Sequence, residues 1–364
     1  MNKRIFFLVS LFITTIDIMA TELNIKGYIR GGFQNQETNI QEVNEFAVGG
    51  KINIDYFSAY GVGAGFSLYS TNRLNSQNIG MNISYTILGE AYLKSTILNT
   101  NIKIGRQEID TPYLNTDDIA MIPNTFEGVT AVSEDFQDTK ITLAYIYKFF
   151  STWNIIPKKI EKINKNDGIE IFGIEYDGLE NISLQAWYYN MNKLAKVSYF
   201  EANYNFEMAN FDITISGQYS NQDFDVGKNS KIYGLSLETI YNNLTFSLAY
   251  NKTDGVLADN FWGGGPFFTS TERMTLSEAE NNGEATLIGV NWNLKNFNLK
   301  EFTLGLSYLN LQRKVDKDIN EFDVSIFYRS DSPLEFQFIY SNVDDRTYSE
   351  RSFNNGRVFI NYNF

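Results

Sequence analysis

The densest chemistry in the sequence lies between residues 106 and 127. Glu108, Asp110, Asp117, Asp118 and Glu127 set five carboxylates against the single Arg106, a local charge of −4. Paired carboxylates invite calcium or glycosidase readings, but Asp117 and Asp118 are adjacent and lack the one-three-five spacing of a calcium loop. Asp344-Asp345 is no better. The chain has no His and no Cys. That removes the usual general base, the imidazole and thiolate metal ligands, every Ser-His or Cys-His relay and any disulfide. No enzyme, cofactor or metal centre is expected, so the chemistry left to these charges is electrostatic. The same segment holds Ile109, Tyr113, Leu114, Ile119, Met121, Ile122 and Phe126, unusually apolar for a loop left in water.

The elements that would position these residues are strands. From Leu23 onward the dominant period is two: Leu23, Ile25 and Ile29 against Asn24, Lys26, Tyr28 and Arg30, then Phe46, Val48, Ile52 and Ile54 against Glu45, Lys51, Asn53 and Asp55. Ile141–Phe149, Phe211–Tyr219, Tyr233–Tyr241, Leu244–Tyr250 and Phe302–Tyr308 repeat it. Alternation puts the apolar set on one face and the polar set on the other, and about eighteen such segments fit the chain. Long polar connections near 34–44, 70–80, 107–127, 150–167, 221–229, 252–284, 313–320 and 342–355 interleave with short ones near 58–60, 177–180, 207–210, 242–243 and 330–333, the rhythm of long external loops and tight periplasmic turns. Pro112, Pro123, Pro157, Pro266 and Pro333 all fall in proposed connections, where no ladder hydrogen bond is lost. The expected fold class is all-β, a transmembrane antiparallel β-barrel. Its apolar, aromatic-tipped face would meet lipid and its polar face water; a soluble sandwich would reverse this assignment.

Both ends of the chain agree. Lys3 and Arg4 precede the apolar stretch Ile5–Ile16, and Ile18-Met19-Ala20 offers a cleavage signal. The stretch is shorter than the ~20 residues of a spanning helix, so residues 1–20 read as a secretory signal peptide and 21–364 as the barrel. At the other end Val358, Ile360, Tyr362 and Phe364 alternate with Phe359, Asn361 and Asn363. This resembles the terminal strand of bacterial outer-membrane proteins, whose closing aromatic is read by the barrel-assembly machinery. A net charge of −13 with no basic run argues against nucleic acid. The expected partners are outer-membrane lipid or lipopolysaccharide, and small solutes. The apolar outer wall suits lipid or the neighbours of a homotrimer equally.

A barrel of this size is too wide for side chains alone to fill. The strand pattern begins within a few residues of Thr21, leaving no room for a globular plug before it. Residues 105–128, with the strands around them, resemble OprD-type porins, and Gly263-Gly264-Gly265-Pro266-Phe267-Phe268 resembles a glycine-rich external loop of that family. The resemblance implies eighteen strands, an inward-folded third loop, here 107–127, and diffusion of small carboxylates or amino acids past an eyelet with a ladder of basic residues. On the inward parity stand Lys26, Arg30, Lys51, Arg329 and Arg357, with Arg106 opening the loop. A basic wall facing Glu108, Asp110, Asp117, Asp118 and Glu127 would set a transverse field that orients zwitterionic solutes; alternatively these charges merely keep a lumen wet. Two other functions fit a barrel. A maltoporin-like sugar channel would need an aromatic slide, for which Tyr69, Tyr92, Phe327 and Phe359 have inward parity. An adhesin would act through loop 252–284.

Overall fold

The computed structural model describes residues 20–75, 84–151 and 161–364. The expected signal peptide lies outside the described residues, as do Pro157 and parts of the loops near 70–80 and 150–167. Eighteen long strands make up the wall. The first nine are β1 (Ala20–Thr38), β2 (Glu42–Ser58), β3 (Val62–Arg73), β4 (Tyr85–Ile97), β5 (Thr100–Gln107), β6 (Thr125–Phe136), β7 (Thr139–Phe150), β8 (Ile169–Leu179) and β9 (Ile182–Met191). The second nine are β10 (Ala195–Met208), β11 (Phe211–Phe224), β12 (Ser230–Tyr241), β13 (Leu244–Gly255), β14 (Glu284–Asn293), β15 (Phe302–Gln312), β16 (Ile319–Arg329), β17 (Leu334–Asp345) and β18 (Phe353–Asn363). A two-residue stretch, Glu161–Lys162, pairs with Phe149 and Lys148 above β7.

Every strand pairs antiparallel with its chain neighbours, and β1 pairs with β18 from Tyr28↔Asn363 to Thr38↔Phe353, so the sheet is a closed barrel. Gly27 N donates to Phe364 O at 2.8 Å and Phe364 N to Gly27 O at 3.0 Å, which carries the seam to the last residue. No helix among the described residues is long and apolar enough to cross a membrane. The crossing is made by strands.

The alternation translates directly into faces. Ile25, Leu93, Leu235 and Ile288 lie exposed on the outer wall, while Arg30, Asn53, Ser67, Asn251 and Ser341 are buried on the inner one. Rings collect next to the tight turns: Phe211 and Tyr241 stack across β11 and β12 at 4.8 Å, and Phe302 meets Tyr328 at 4.9 Å. These pairs stand outward beside turns 209–210, 242–243 and 330–333, where an aromatic girdle belongs. Asn181 and Asn242 take positive φ (63° and 55°) in two-residue turns, a conformation Asn tolerates better than most residues.

One expected external loop is far shorter than the sequence suggested. The connection near 34–44 is only residues 39–41, because β1 and β2 run on for 19 and 17 residues. A strand needs about ten residues to cross the bilayer. The remainder projects beyond the membrane, where alternation is no longer enforced and Gln34–Glu37 read as loop. The connection after β9, residues 192–194, is likewise brief.

Ile288 sits mid-strand on the outer face, 58% exposed, with Leu248 and Tyr308 as its cross-strand neighbours. Ile288→Lys is expected to destabilise the barrel by about 2–4 kcal/mol in a bilayer, the cost of a cation near the midplane. Inward-facing Ser325→Lys should cost far less. Urea titration of folding into vesicles checks both.

Candidate functional site

The third external loop, L3 (108–124), leaves β5 at Gln107 and returns into β6 at Thr125. Its own hydrogen bonds shape it before it meets the wall. Thr111 N donates to Leu114 O at 2.7 Å, a tight turn with Pro112 where a fixed φ suits it. Asp110 Oδ1 accepts from Thr116 N and Thr116 Oγ1 at 3.0 and 2.7 Å, and Asn124 N donates to Thr116 O at 2.8 Å to close the neck.

The apolar residues of L3 drive it inside the barrel. Tyr113 and Leu114 are fully buried on one flank, in a cluster with Tyr189, Val197 and Tyr199 of the inner wall. The Tyr113 ring meets Tyr189, Tyr199 and Phe261 edge-on at 5.5, 6.0 and 5.6 Å, and its hydroxyl shares a hydrogen bond with Ser220 Oγ at 2.7 Å. On the other flank Met121 packs with Ala47 and Phe359. A Cβ added to Gly32 would come within 2.5 Å of Met121 Sδ, so this glycine leaves the room in which the loop lands.

Basic side chains of the wall then fasten L3 directly. Arg30 donates through Nη1 and Nη2 to the two carboxylate oxygens of Asp118 at 2.8 and 3.0 Å, through Nη1 to Ala120 O at 2.5 Å, and through Nε to Asn361 Oδ1 at 2.8 Å. Arg357 Nη1 donates to Ile119 O at 2.8 Å and pairs with Glu272 at 2.7 Å. Lys51 Nζ lies 2.5 Å from Glu108 and 3.1 Å from Glu90, and Tyr69 OH donates to the same Glu108 oxygen at 2.5 Å. Arginine supplies five donors in a fixed fork, which suits a carboxylate and adjacent carbonyls together. Sequence parity suggested a basic wall facing the acidic loop across open space. Arg30, Arg357 and Lys51 instead touch it, and Arg30 and Arg357 are buried beneath it.

The seventh loop, L7 (256–283), was expected to stand outside; it lies within the barrel mouth. Trp262 N donates to Tyr113 O at 3.2 Å, Asn115 N to Trp262 O at 3.4 Å, and Gly264 N to Asn115 Oδ1 at 3.0 Å. Gln218 Nε2 donates to Pro266 O at 3.0 Å, and Phe268 N to Gln218 Oε1 at 3.1 Å. Glu321 of β16 accepts from Arg273 N and Met274 N at 2.9 and 2.8 Å, and Arg273 reaches Asn355. The glycine-rich run is therefore an internal contact surface for L3.

The remaining expected residues separate by position. Asp110 and Asp117 face an open cavity of about 540 Å³ bounded by Lys140, Glu175, Gln185 and Trp187 of the wall and Gly264–Pro266 of L7. Lys140 pairs there with Glu175 at 2.8 Å. Lys26 and Arg329 stand exposed near the periplasmic ends of β1 and β16, away from L3. Arg106 and Glu127 depart from the expected pore lining: β5 runs on to Gln107, so Arg106 shares the outward parity of Ile104, and Glu127 is its cross-strand partner. Of the four rings named for an aromatic slide, Tyr69, Tyr92 and Phe359 are buried and Phe327 is half-buried, so they present no continuous track. Glu90, Glu272 and Glu321 were not foreseen. Glu90 shares the inward parity of Tyr92, and Glu272 sits on a loop expected outside. Glu321 alternates with outward Phe322 and was readable from parity alone.

A closed, loop-filled barrel with a polar interior and an apolar exterior defines a transmembrane channel protein of the outer-membrane type. Residues 71–364 match the family model described as outer membrane porin, OprD family, and the chain belongs to that family. The fold is similar to Pseudomonas aeruginosa OccK1 (OpdK), with a TM-score of 0.83 at 15% identity over 95% of this chain and 99% of that one. It is also similar to Acinetobacter baumannii OccAB1, with a TM-score of 0.81 at 17% identity over 95% and 97% of the two chains. A curated relative, the chitoporin of Escherichia coli (strain K12), is 23% identical over 224 residues, 52% of this chain; the match spans about half, 46%, of that relative's length.

Arg30→Ala would leave the Asp118 carboxylate and the Ala120 carbonyl without their Arg30 donors. It is expected to cost about 1–3 kcal/mol and to loosen L3. In planar bilayers this should appear as a larger, noisier single-channel conductance, and Asp118→Ala in the same background should add little further.

Proposed function

We propose that L3 forms the constriction of this porin and that solutes cross by passive diffusion through the cavity beside it, with no covalent chemistry and no energy input. The observation that carries this reading is the clasp. Loop carboxylates Glu108 and Asp118 are matched by Lys51 and Arg30, so the wall charges hold the loop and contribute little open field. The open side of L3 is different: among the described residues that line its cavity, Asp110, Asp117 and Glu175 stand with one cation, Lys140. An excess of carboxylates in a narrow, low-dielectric passage concentrates cations and orients zwitterions by their ammonium end. Small cationic or zwitterionic solutes, amino acids and short peptides among them, are the proposed cargo. Lys26 and Arg329 would act at the periplasmic mouth.

Export would use residues 1–20 as a cleaved signal, on the strength of Lys3, Arg4 and the apolar run behind them. Phe364, exposed at the end of an outward-facing row, would be the residue presented to the assembly machinery. The outer wall would meet lipopolysaccharide or, in a homotrimer, its neighbours.

Reversal potential in a KCl gradient tests the mechanism. Wild type should favour K⁺, and Asp110→Asn with Asp117→Asn should shift the permeability ratio toward anions by about twofold per charge, as one charge at about 8 Å in water provides. Anion preference in the wild type would overturn the assignment of the open side.

A further inference from the structure

The outer wall carries a charge cluster where a lipid-facing surface has no use for one. Arg106, Glu127 and Lys148 form a continuous cross-strand row on β5, β6 and β7, on the same face as Ile104, Val129 and Tyr145. Glu127 is held by Lys148 Nζ at 2.7 Å, by Tyr147 OH at 2.6 Å and by Arg106 Nη2 at 3.5 Å. Lys162 pairs with Lys148 in the ladder and shares its face. Nearby Glu170 accepts from Asn190 at 2.9 Å. Among the described residues, three cations thus stand over two carboxylates at the extracellular rim, each carboxylate already engaged.

Directly below, toward the membrane interior, β6 to β9 form a mainly apolar dent of about 410 Å³, with Glu170 and Asn190 at its upper edge. Val129, Leu143, Tyr145, Phe172 and Tyr188 wall it, and Ala131 keeps it open. A cationic rim over an apolar trough matches the two halves of an anionic lipid in depth as well as in chemistry: the phosphate lies at the interface and the chain below it.

We propose that this corner of the outer wall binds one phosphate-bearing, acylated lipid of the outer leaflet, its phosphate on Arg106, Lys148 and Lys162 and an acyl chain in the dent below. The site is independent of the pore, since none of its side chains faces the lumen.

Native mass spectrometry of the folded protein in non-ionic micelles, titrated with dimyristoyl phosphatidylglycerol or dimyristoyl phosphatidylcholine, tests it. One phosphatidylglycerol should bind ahead of any phosphatidylcholine. Arg106→Gln with Lys148→Gln should weaken that binding by about thirtyfold, since each surface cation contributes about one decade or slightly less, while single-channel conductance stays at the wild-type value and shows the barrel folded. Ala131→Phe should weaken the dimyristoyl lipid but not its dihexanoyl counterpart. Lys231→Gln with Lys252→Gln, outward cations on β12 and β13, should change nothing. Equal binding of both lipids, undiminished binding in the Arg106/Lys148 variant, or an equal loss in the Lys231/Lys252 variant would overturn the proposal.

Discussion

Hydrocarbon offers no hydrogen bonds, so each backbone N–H and C=O that crosses it must find a partner within the protein, and an open sheet edge would leave a row of them unmet. In this chain that requirement is met by the pairing of β1 with β18, from Tyr28↔Asn363 upward. Much else follows from it. Strands must alternate because one face is lipid and the other water. Proline must stay in the connections, as Pro112, Pro123, Pro266 and Pro333 do. The number of strands needed to close the ring leaves an interior that side chains cannot fill, which is why L3 and L7 are drawn inside.

Those loops obey a second constraint. A loop entering the lumen hides backbone polar groups as well as apolar side chains, and each must be satisfied. Arg30 and Arg357 take up the carbonyls of Ala120 and Ile119, while Gln218, Gln222 and Glu321 serve L7. The inner wall is therefore polar for two separate reasons. Part of it lines water, and part of it supplies the partners that internal loops lack. Buried residues such as Gln222 and Asn251 belong to the second class, and counting inward charges alone does not separate the two.

Much of this was legible in the sequence. Period-two alternation gave strand faces, the terminal row ending in Phe364 gave the seam, and the apolar content of 108–124 marked L3 as a loop unsuited to water. One miss comes from where a strand was ended, since parity holds only within an unbroken strand. Ending β5 at Gly105 hid that Arg106 continues the row of Ile104. L7 misled by composition. Its glycines and polar residues read as solvent-exposed, although Ala258, Phe261, Trp262, Phe267 and Leu276 all join the internal cluster. Which cation meets which carboxylate depends on register across a ring, and no local pattern encodes that.

The anchorage of L3 also has a consequence in time. Arg30 belongs to the first strand and Arg357 to the last, and Arg30 bonds Asn361 across a separation of 331 residues. Contacts so distant in the chain are the costliest to bring together and form late. Until the two ends of the sheet meet, Asp118, Ile119 and Ala120 have only half of their anchorage. A barrel stalled before that meeting would carry an untethered third loop. The position of this loop therefore records whether biogenesis has run to completion, and proteolytic access to it would separate finished molecules from unfinished ones.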